Sequence, residues 1–291
     1  MKRRLFYDRA DAKRVELPGM MQLAVDLKPE RCVSDVYINQ KVDVTELMDY
    51  LAEKKAAGDH YTLFHAFLAA VGKVIYNRPK LNYFIANRHM YEHNEVSLAF
   101  VAKMEFSDKS EEMMLHLVLE PEDTMETIRE KITKKLSNAR GGDVEKEGAN
   151  TAIDVLGHLP NIIRVPILGV IKFMDRHGIL PAGLRKDNIY YSSMIISNLG
   201  SIRCGAIFHN ITSFGSSSSL ATIGEVKPEK VLNADGSEEI RKMCEFGINI
   251  DERIADGYYF AKSIHLLKDI LADPASLMEP VGTKIQQKDI R

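Results

Sequence analysis

The chain has 291 residues, of which 45% are hydrophobic and 27% charged, with a formal net charge of −2. That is the make-up of an ordinary globular protein, long enough for one large domain or two small ones. The near-neutral charge gives no general attraction to nucleic acid or to an anionic membrane, so neither is an expected partner. Cys32, Cys204 and Cys244 are odd in number and widely spaced, without zinc spacing. They read as free thiols of a cytoplasmic chain, and no metal is expected. The basic start, Met1 to Phe6, lacks the apolar core of a signal peptide. The most apolar stretch, 156–184, is interrupted by Pro160, Arg164, Pro166, Lys172, Asp175, Arg176 and Pro181, which argues against a spanning helix.

In chain order, Val36, Ile38, Gln40 and Val42 alternate with Asp35, Tyr37, Asn39 and Lys41 and predict a strand. A helix over 43–57 follows, with Asp43 and Glu46 as a capping pair. Leu63, Phe67, Val71, Val74 and Ile75 form a core-facing stripe over 62–77, which stops before Pro79. Residues 81–105 read as a hairpin turning near Glu92–Glu95. His89 and His93 are four apart, which suits a metal on a helix but separates the rings on a strand. Met114–Leu119 predicts a strand. Pro121 then opens a helix over 122–139 with Met125, Ile128, Ile132 and Leu136 on its buried side. Gly141-Gly142 ends that helix, and 143–150 is a charged loop.

Near the end, Cys244, Phe246, Ile248 and Ile250 alternate with polar residues up to Asp251, and Asn233–Gly236 makes the hairpin turn before them. Phe260, Ile264, Leu267 and Leu271 then recur at helical spacing over 258–271. The charged run Asp251-Glu252-Arg253-Ile254-Ala255-Asp256-Gly257 therefore sits on a strand-to-helix connection, a place where a rigid scaffold holds functional groups.

That run resembles the Asp-His-Arg-x-x-Asp-Gly signature of the 2-oxo acid dehydrogenase acyltransferases, whose fold chloramphenicol acetyltransferase shares. Asp43-Val44-Thr45-Glu46-Leu47, Asn82 with the strands after it, Met194-Ile195-Ile196-Ser197-Asn198-Leu199-Gly200 and Leu220–Val226 resemble other family stretches in the same order. The resemblance runs from about Asp43 to Pro274. It implies an α/β fold, an α+β two-layer sandwich with a large mixed sheet flanked by helices. The whole of 1–291 reads as a single acyltransferase-like domain, without lipoyl or subunit-binding domains.

The resemblance also implies a chemistry. In the family the histidine is the general base, a serine at the Ser197 position stabilises the oxyanion, and the aspartate at the Asp256 position pairs with an arginine. The co-substrate is coenzyme A, the acceptor a small thiol or alcohol, and the assembly a homotrimer with its site between subunits. Here Glu252 stands where the histidine would be. The catalytic candidates are thus Glu252 and Ser197, with Asp251, Arg253, Asp256 and Gly257 structural at the site. Gly257 is expected to let the chain turn without a Cβ clash, and the partner of Asp256 to come from Arg3, Arg4, Arg9 and Arg14. Three readings follow: an acyltransferase using Glu252 or no base, a catalytically silent relative that binds a ligand or partner, and a membrane-surface scaffold built on residues 151–190. The mostly polar tail, Lys284–Arg291, predicts a trimer that goes no further.

Residues 151–190 depart from the family, which runs almost directly from helix to strand. The first reading is an extra helical pair packed on the core. A lid or acceptor-pocket wall comes second, and an interfacial membrane contact third.

Overall fold

Alternation of apolar and polar side chains builds the main sheet. A computed structural model describes residues 8–103, 112–140, 155–186 and 188–287. Six strands lie in the order β2 (Asp35–Asp43), β9 (Glu238–Asp251), β8 (Ser219–Leu232), β7 (Met194–Asn198), β5 (Val96–Lys103) and β6 (Glu112–Leu119). β7 is parallel to both its neighbours and the other pairings are antiparallel, so the sheet is mixed. This is the expected fold class.

One face of the sheet carries Leu98, Ile196, Ala221, Phe246 and Ile250. After α1 (Gly19–Leu27), the helices that pack on it are α2 (Thr45–Ala56), α3 (Leu63–Asn77), α4 (Met125–Arg140) and α7 (Gly257–Ala272), whose bounds match the predicted helices within a few residues. Phe67 of α3 stacks on Phe246 at 4.7 Å between ring centroids, a pairing that adds about 0.5–1.5 kcal/mol beyond the area it buries. The capping differs from expectation. Asp43 lies one residue before the cap of α2 and accepts from the Thr45 N–H at 2.9 Å; the cap position is Val44, and its side chain makes no capping bond. A capping box forms at α3 instead, where Thr62 pairs with His65; the usual box residue there is Glu or Gln.

The other face is covered by irregular chain. Ile195 and Leu220 lie under Ile189 and Ile211. The 203–213 segment crosses the sheet, held by Thr222, whose Oγ1 accepts from the Ile207 N–H at 3.2 Å and donates to the Ile207 carbonyl at 2.6 Å. Asn249 Nδ2 donates to the His209 carbonyl at 2.9 Å. Gly247 lies beneath this crossing, where a Cβ would collide with the Ile207 carbonyl oxygen.

A second sheet joins β1 (Ala12–Val15), β4 (His89–His93) and β3 (Tyr83–Ala86). The predicted single hairpin over 81–105 is therefore three strands in two sheets. The tight turn falls at Asn87-Arg88, both at positive φ, as a two-residue turn of the primed kind requires. The step near Asn94 instead carries the chain from the small sheet to the large one. His89 and His93 both lie on β4 with separate partners, Arg14 for His89 and the Ser216 carbonyl for His93.

The expected core-packed helical pair within 151–190 is not what forms. α5 (Asn161–Arg176) buries only Asp175, and α6 (Ala182–Arg185) is a single turn with no buried residue. The stretch is apolar, but its apolar side faces away from the core. The predicted charged loop 143–150 lies outside the described residues.

Burial pulls the His93 imidazole down to about 4, against the pull of the Ser216 carbonyl. Burial holds His65 at about 4 as well. In the unfolded chain both titrate near about 6.5. Their neutral forms therefore favour the fold fully above that value, and the benefit is lost as pH falls from about 6.5 toward about 4. Urea unfolding in that window should show stability dropping with pH, and His93→Gln should make the drop shallower.

Candidate active site

The strand-to-helix turn is built on a buried ion cluster. β9 ends at Asp251, whose N–H donates to the Ser218 carbonyl at 2.9 Å. Its carboxylate takes both arms of Arg253, at 2.8 Å from Nε and 2.6 Å from Nη2. Arg253 also donates to the Lys28 and Pro29 carbonyls at 2.8 and 3.2 Å. Arg31 stands 3.8 Å from Asp251 and 3.5 Å from Asp35, and donates to the Ser217 and Ser218 carbonyls. All four charged side chains are buried. A fork of donors on a carboxylate fixes geometry as well as charge. The turn is thus tied to residues 28–35 and to the start of β8.

Glu252 follows directly. Its N–H donates to the Ser34 carbonyl at 3.0 Å, and its side chain, 39% exposed, is ion-paired to Lys28. Arg253, its neighbour in sequence, points inward to Asp251 instead. Glu252 lines an open groove of about 440 Å³ between β2 and α7, walled by Val36, Ile38, Phe260 and Ile264 with His265 and Lys268. β2 is an edge strand, so the groove opens at the rim of the sheet.

Asp256 does not pair with an arginine among the described residues. It is the N-cap of α7, and its carboxylate accepts from the Tyr259 N–H at 2.8 Å. Of the expected partners, Arg9 pairs with Asp11 and stands near Asp175, Arg14 contacts His89, and Arg3 and Arg4 lie outside the described residues. Gly257 also differs from expectation: a Cβ there would meet nothing within 4 Å. No turn requires glycine at this point, and its missing side chain leaves room in the groove instead.

Ser197 lies on β7, half-buried, opposite Thr222 and so on the face crossed by the 203–213 segment. Among the described residues its hydroxyl has no hydrogen-bond partner. Ser197 pairs with Thr222 and Thr222 with Gly247, five residues before Glu252. Two strand spacings across and five residues along separate Ser197 from Glu252 by about 19 Å. One chain does not bring the two candidates to one reacting atom.

Behind the turn lies a second cavity of about 290 Å³, lined by Arg31, Asp251, Arg253, Ser216 and the C-terminal end of α5. There Asp175 accepts from the Tyr191 hydroxyl at 2.6 Å and the Gly215 N–H at 3.0 Å. Burial and the Asp175 carboxylate push the Tyr191 phenol above its ordinary value. Asp11 is buried too, which alone would raise its carboxyl; the Arg9 hydrogen bond and the charges of Arg9 and Arg185 outweigh that and hold it at about 2.

Sequence reasoning missed Lys28, Arg31 and Asp35. Asp35 reads there as an outward strand residue, and only the β2–β9 register, which sets it opposite Asp251, identifies it as part of the cluster. The need of a buried Asp251 for cations was the one available signal.

Comparison with known proteins agrees with this fold. Residues 182–279, which include Ser197 and the turn, match the family of 2-oxoacid dehydrogenases acyltransferase (catalytic domain). The fold is similar to that of the Azotobacter vinelandii dihydrolipoamide acetyltransferase, with a TM-score of 0.59 and 16% identity over 91% of this chain and 94% of that one. A probable dihydrolipoamide acetyltransferase from Listeria monocytogenes gives 0.57 and 16% over 90% and 95%. Chloramphenicol acetyltransferase gives 0.51 and 11% over 89% and 99%. No curated protein matches by sequence. The chain thus has the chloramphenicol acetyltransferase-like fold. In sequence it resembles the 2-oxoacid dehydrogenase acyltransferases over the segment that carries the candidate site.

Two substitutions test the turn. Arg253→Ala leaves Asp251 buried with only the distant Arg31, and should destabilise the protein by about 3–5 kcal/mol in urea unfolding. Asp256→Ala should cost only about 1 kcal/mol, as the loss of a helix cap does.

Proposed function

We propose that the protein is an acyltransferase that moves an acyl group between coenzyme A and a small thiol or hydroxyl acceptor, at sites shared between copies of a homotrimer. The observation that carries this reading is the register that sets Ser197 and Glu252 two strands and five residues apart in one chain, about 19 Å at ideal strand spacing. Glu252 lies in a groove at the open rim of the sheet, where a second copy can reach it. Ser197 lies on the other face, its hydroxyl without a hydrogen-bond partner among the described residues. A trimer that sets the Ser197 of one copy against the groove of the next closes the gap.

At such a site Glu252 takes the proton from the acceptor through its carboxylate, as a positioned base does. The acceptor attacks the thioester carbonyl, and the Ser197 hydroxyl donates to the oxygen that gains negative charge. The thiolate of coenzyme A then leaves. The apolar walls of the groove suit an extended thiol-bearing chain, and Lys268 offers a cation to a phosphate. Lys28 holds one carboxylate oxygen of Glu252 and leaves the other for the acceptor proton. Free Cys32, Cys204 and Cys244 suit a reducing compartment, and we include a cytoplasmic location in this reading.

The ion pair between Lys28 and Glu252 also favours a second reading, a silent relative that binds a ligand or partner. The two make opposite forecasts. For an enzyme, Glu252→Gln should lower acetyl transfer to a thiol by about 10²–10⁴-fold and Ser197→Ala by about 10²–10³-fold. Mixing these two inactive variants should restore about a quarter of the wild-type rate, since random mixing rebuilds that share of intact shared sites. For a silent relative, wild type shows background rate and Glu252→His, made with Lys28→Ala, creates activity. Background rates in all variants, with no coenzyme A binding by calorimetry, would remove the enzyme reading. Light scattering should give a trimer; a monomer would remove the shared site.

A further inference from the structure

α5 presents its apolar side to solvent. At 3.6 residues per turn Ile162, Phe173, Pro166, Val170, Ile163 and Ile167 fall in one arc of about 140°. That arc is open: Ile162 is 84% exposed, Val170 58% and Phe173 53%. Arg164, Lys172 and Arg176 lie on the remaining arc, interspersed with Val165, Leu168 and Ile171. Among the described residues, its hydrogen bonds to the body of the protein lie near its C-terminal end, where the Asp175 carboxylate accepts from Tyr191 and Gly215 and the Asp175 carbonyl accepts from Arg9 at 2.7 Å.

Asp175 is the one acid of the helix, and it is buried and faced by Arg9. Every charge α5 turns outward is therefore positive. Arg176 meets Glu30 at 3.1 Å, Arg164 bonds to the Gly157 carbonyl and to Asn161, and Lys172 has no ion pair among the described residues. The chain as a whole carries a formal charge of −2, so this local excess is not a consequence of a basic protein. A helix with an open apolar arc and a basic polar arc is the kind that lies in a membrane interface, with its apolar side among the acyl chains and its cations among headgroup phosphates. At 16 residues α5 is about 24 Å long, short of the hydrocarbon core. No described helix is long and apolar enough to cross a membrane. α5 also lies outside the 182–279 segment that matches the acyltransferase family.

We propose that α5 docks the protein on an anionic lipid surface, with the Ile162–Phe173 arc at the acyl boundary and Arg164 and Lys172 against the headgroups. The inference is independent of acyl transfer. The test is sedimentation of the full chain with vesicles of phosphatidylcholine alone, or with phosphatidylglycerol added, at low and high salt. Wild type should sediment with the anionic vesicles at low salt and stay in solution with the neutral ones. Ile163→Asp with Val170→Asp should abolish binding, and Arg164→Glu with Lys172→Glu should weaken it by about tenfold or more. All four positions are outside the core, and circular dichroism checks the fold of each variant. Failure of wild type to bind either vesicle overturns the proposal, as does binding that neither pair of changes alters. Should the aspartate pair instead split an oligomer while wild type ignores the vesicles, a second copy covers the arc and the lipid reading is wrong.

Discussion

The buried pairing of Asp251 with Arg253 is the constraint from which the site follows. A carboxylate taken out of water needs compensating donors, and a two-armed guanidinium supplies them in one geometry. With Asp251 held at the end of β9, the next residue has one direction left, outward into the groove beside α7. Glu252 is presented because its neighbours on both sides are turned inward. The same arginine ties the turn to the 28–29 carbonyls, which brings Lys28 to the Glu252 carboxylate. Arg31 extends the cluster to Asp35 and to the start of β8. One buried network therefore aligns the last strand, the edge strand and the segment that pairs with the candidate base.

Much of this fold was legible in the sequence because its signals are local. Period-two runs such as Cys244 to Ile250, and stripes such as Leu63 to Ile75, identify strand and helix without any knowledge of partners. The hairpin at Asn233–Gly236 was legible for the same reason. What failed was non-local or ambiguous. Asn87-Arg88 takes positive φ although Arg is not a usual turn residue, so the pattern points to a turn about six residues too late. Asp256 caps α7, a role its place one residue before the helix encodes, while Arg3 and Arg4, two of its expected partners, lie outside the described residues. The buried role of Asp35 depends on a register that no single stretch of sequence encodes.

α5 shows a different limit. Apolar content alone separates buried from exposed only when the chain itself supplies the cover. Here the arc from Ile162 to Phe173 is as apolar as a core helix, yet the polar arc with Arg164, Lys172 and Arg176 leaves no side free to face a sheet that is already covered. The main sheet has four helices on one face and the 189–191 and 203–213 segments on the other. Of α5 only Asp175 is buried, so the helix is anchored at that end while its apolar arc stays open among the described residues.

The split between Ser197 and Glu252 follows from sheet geometry. Two groups on one sheet meet only when they share a face and lie within a strand or so of each other. Ser197 sits on an interior strand, on the face opposite the helices. Glu252 extends past the end of β9 into a groove lined by the helix-side residues Ile38 and Phe260. No side-chain rotation spans that distance. β2 is an edge strand, and an edge is a part of a sheet that a second molecule can approach. A chemistry that needs both residues is thus one that a single copy of this fold cannot perform.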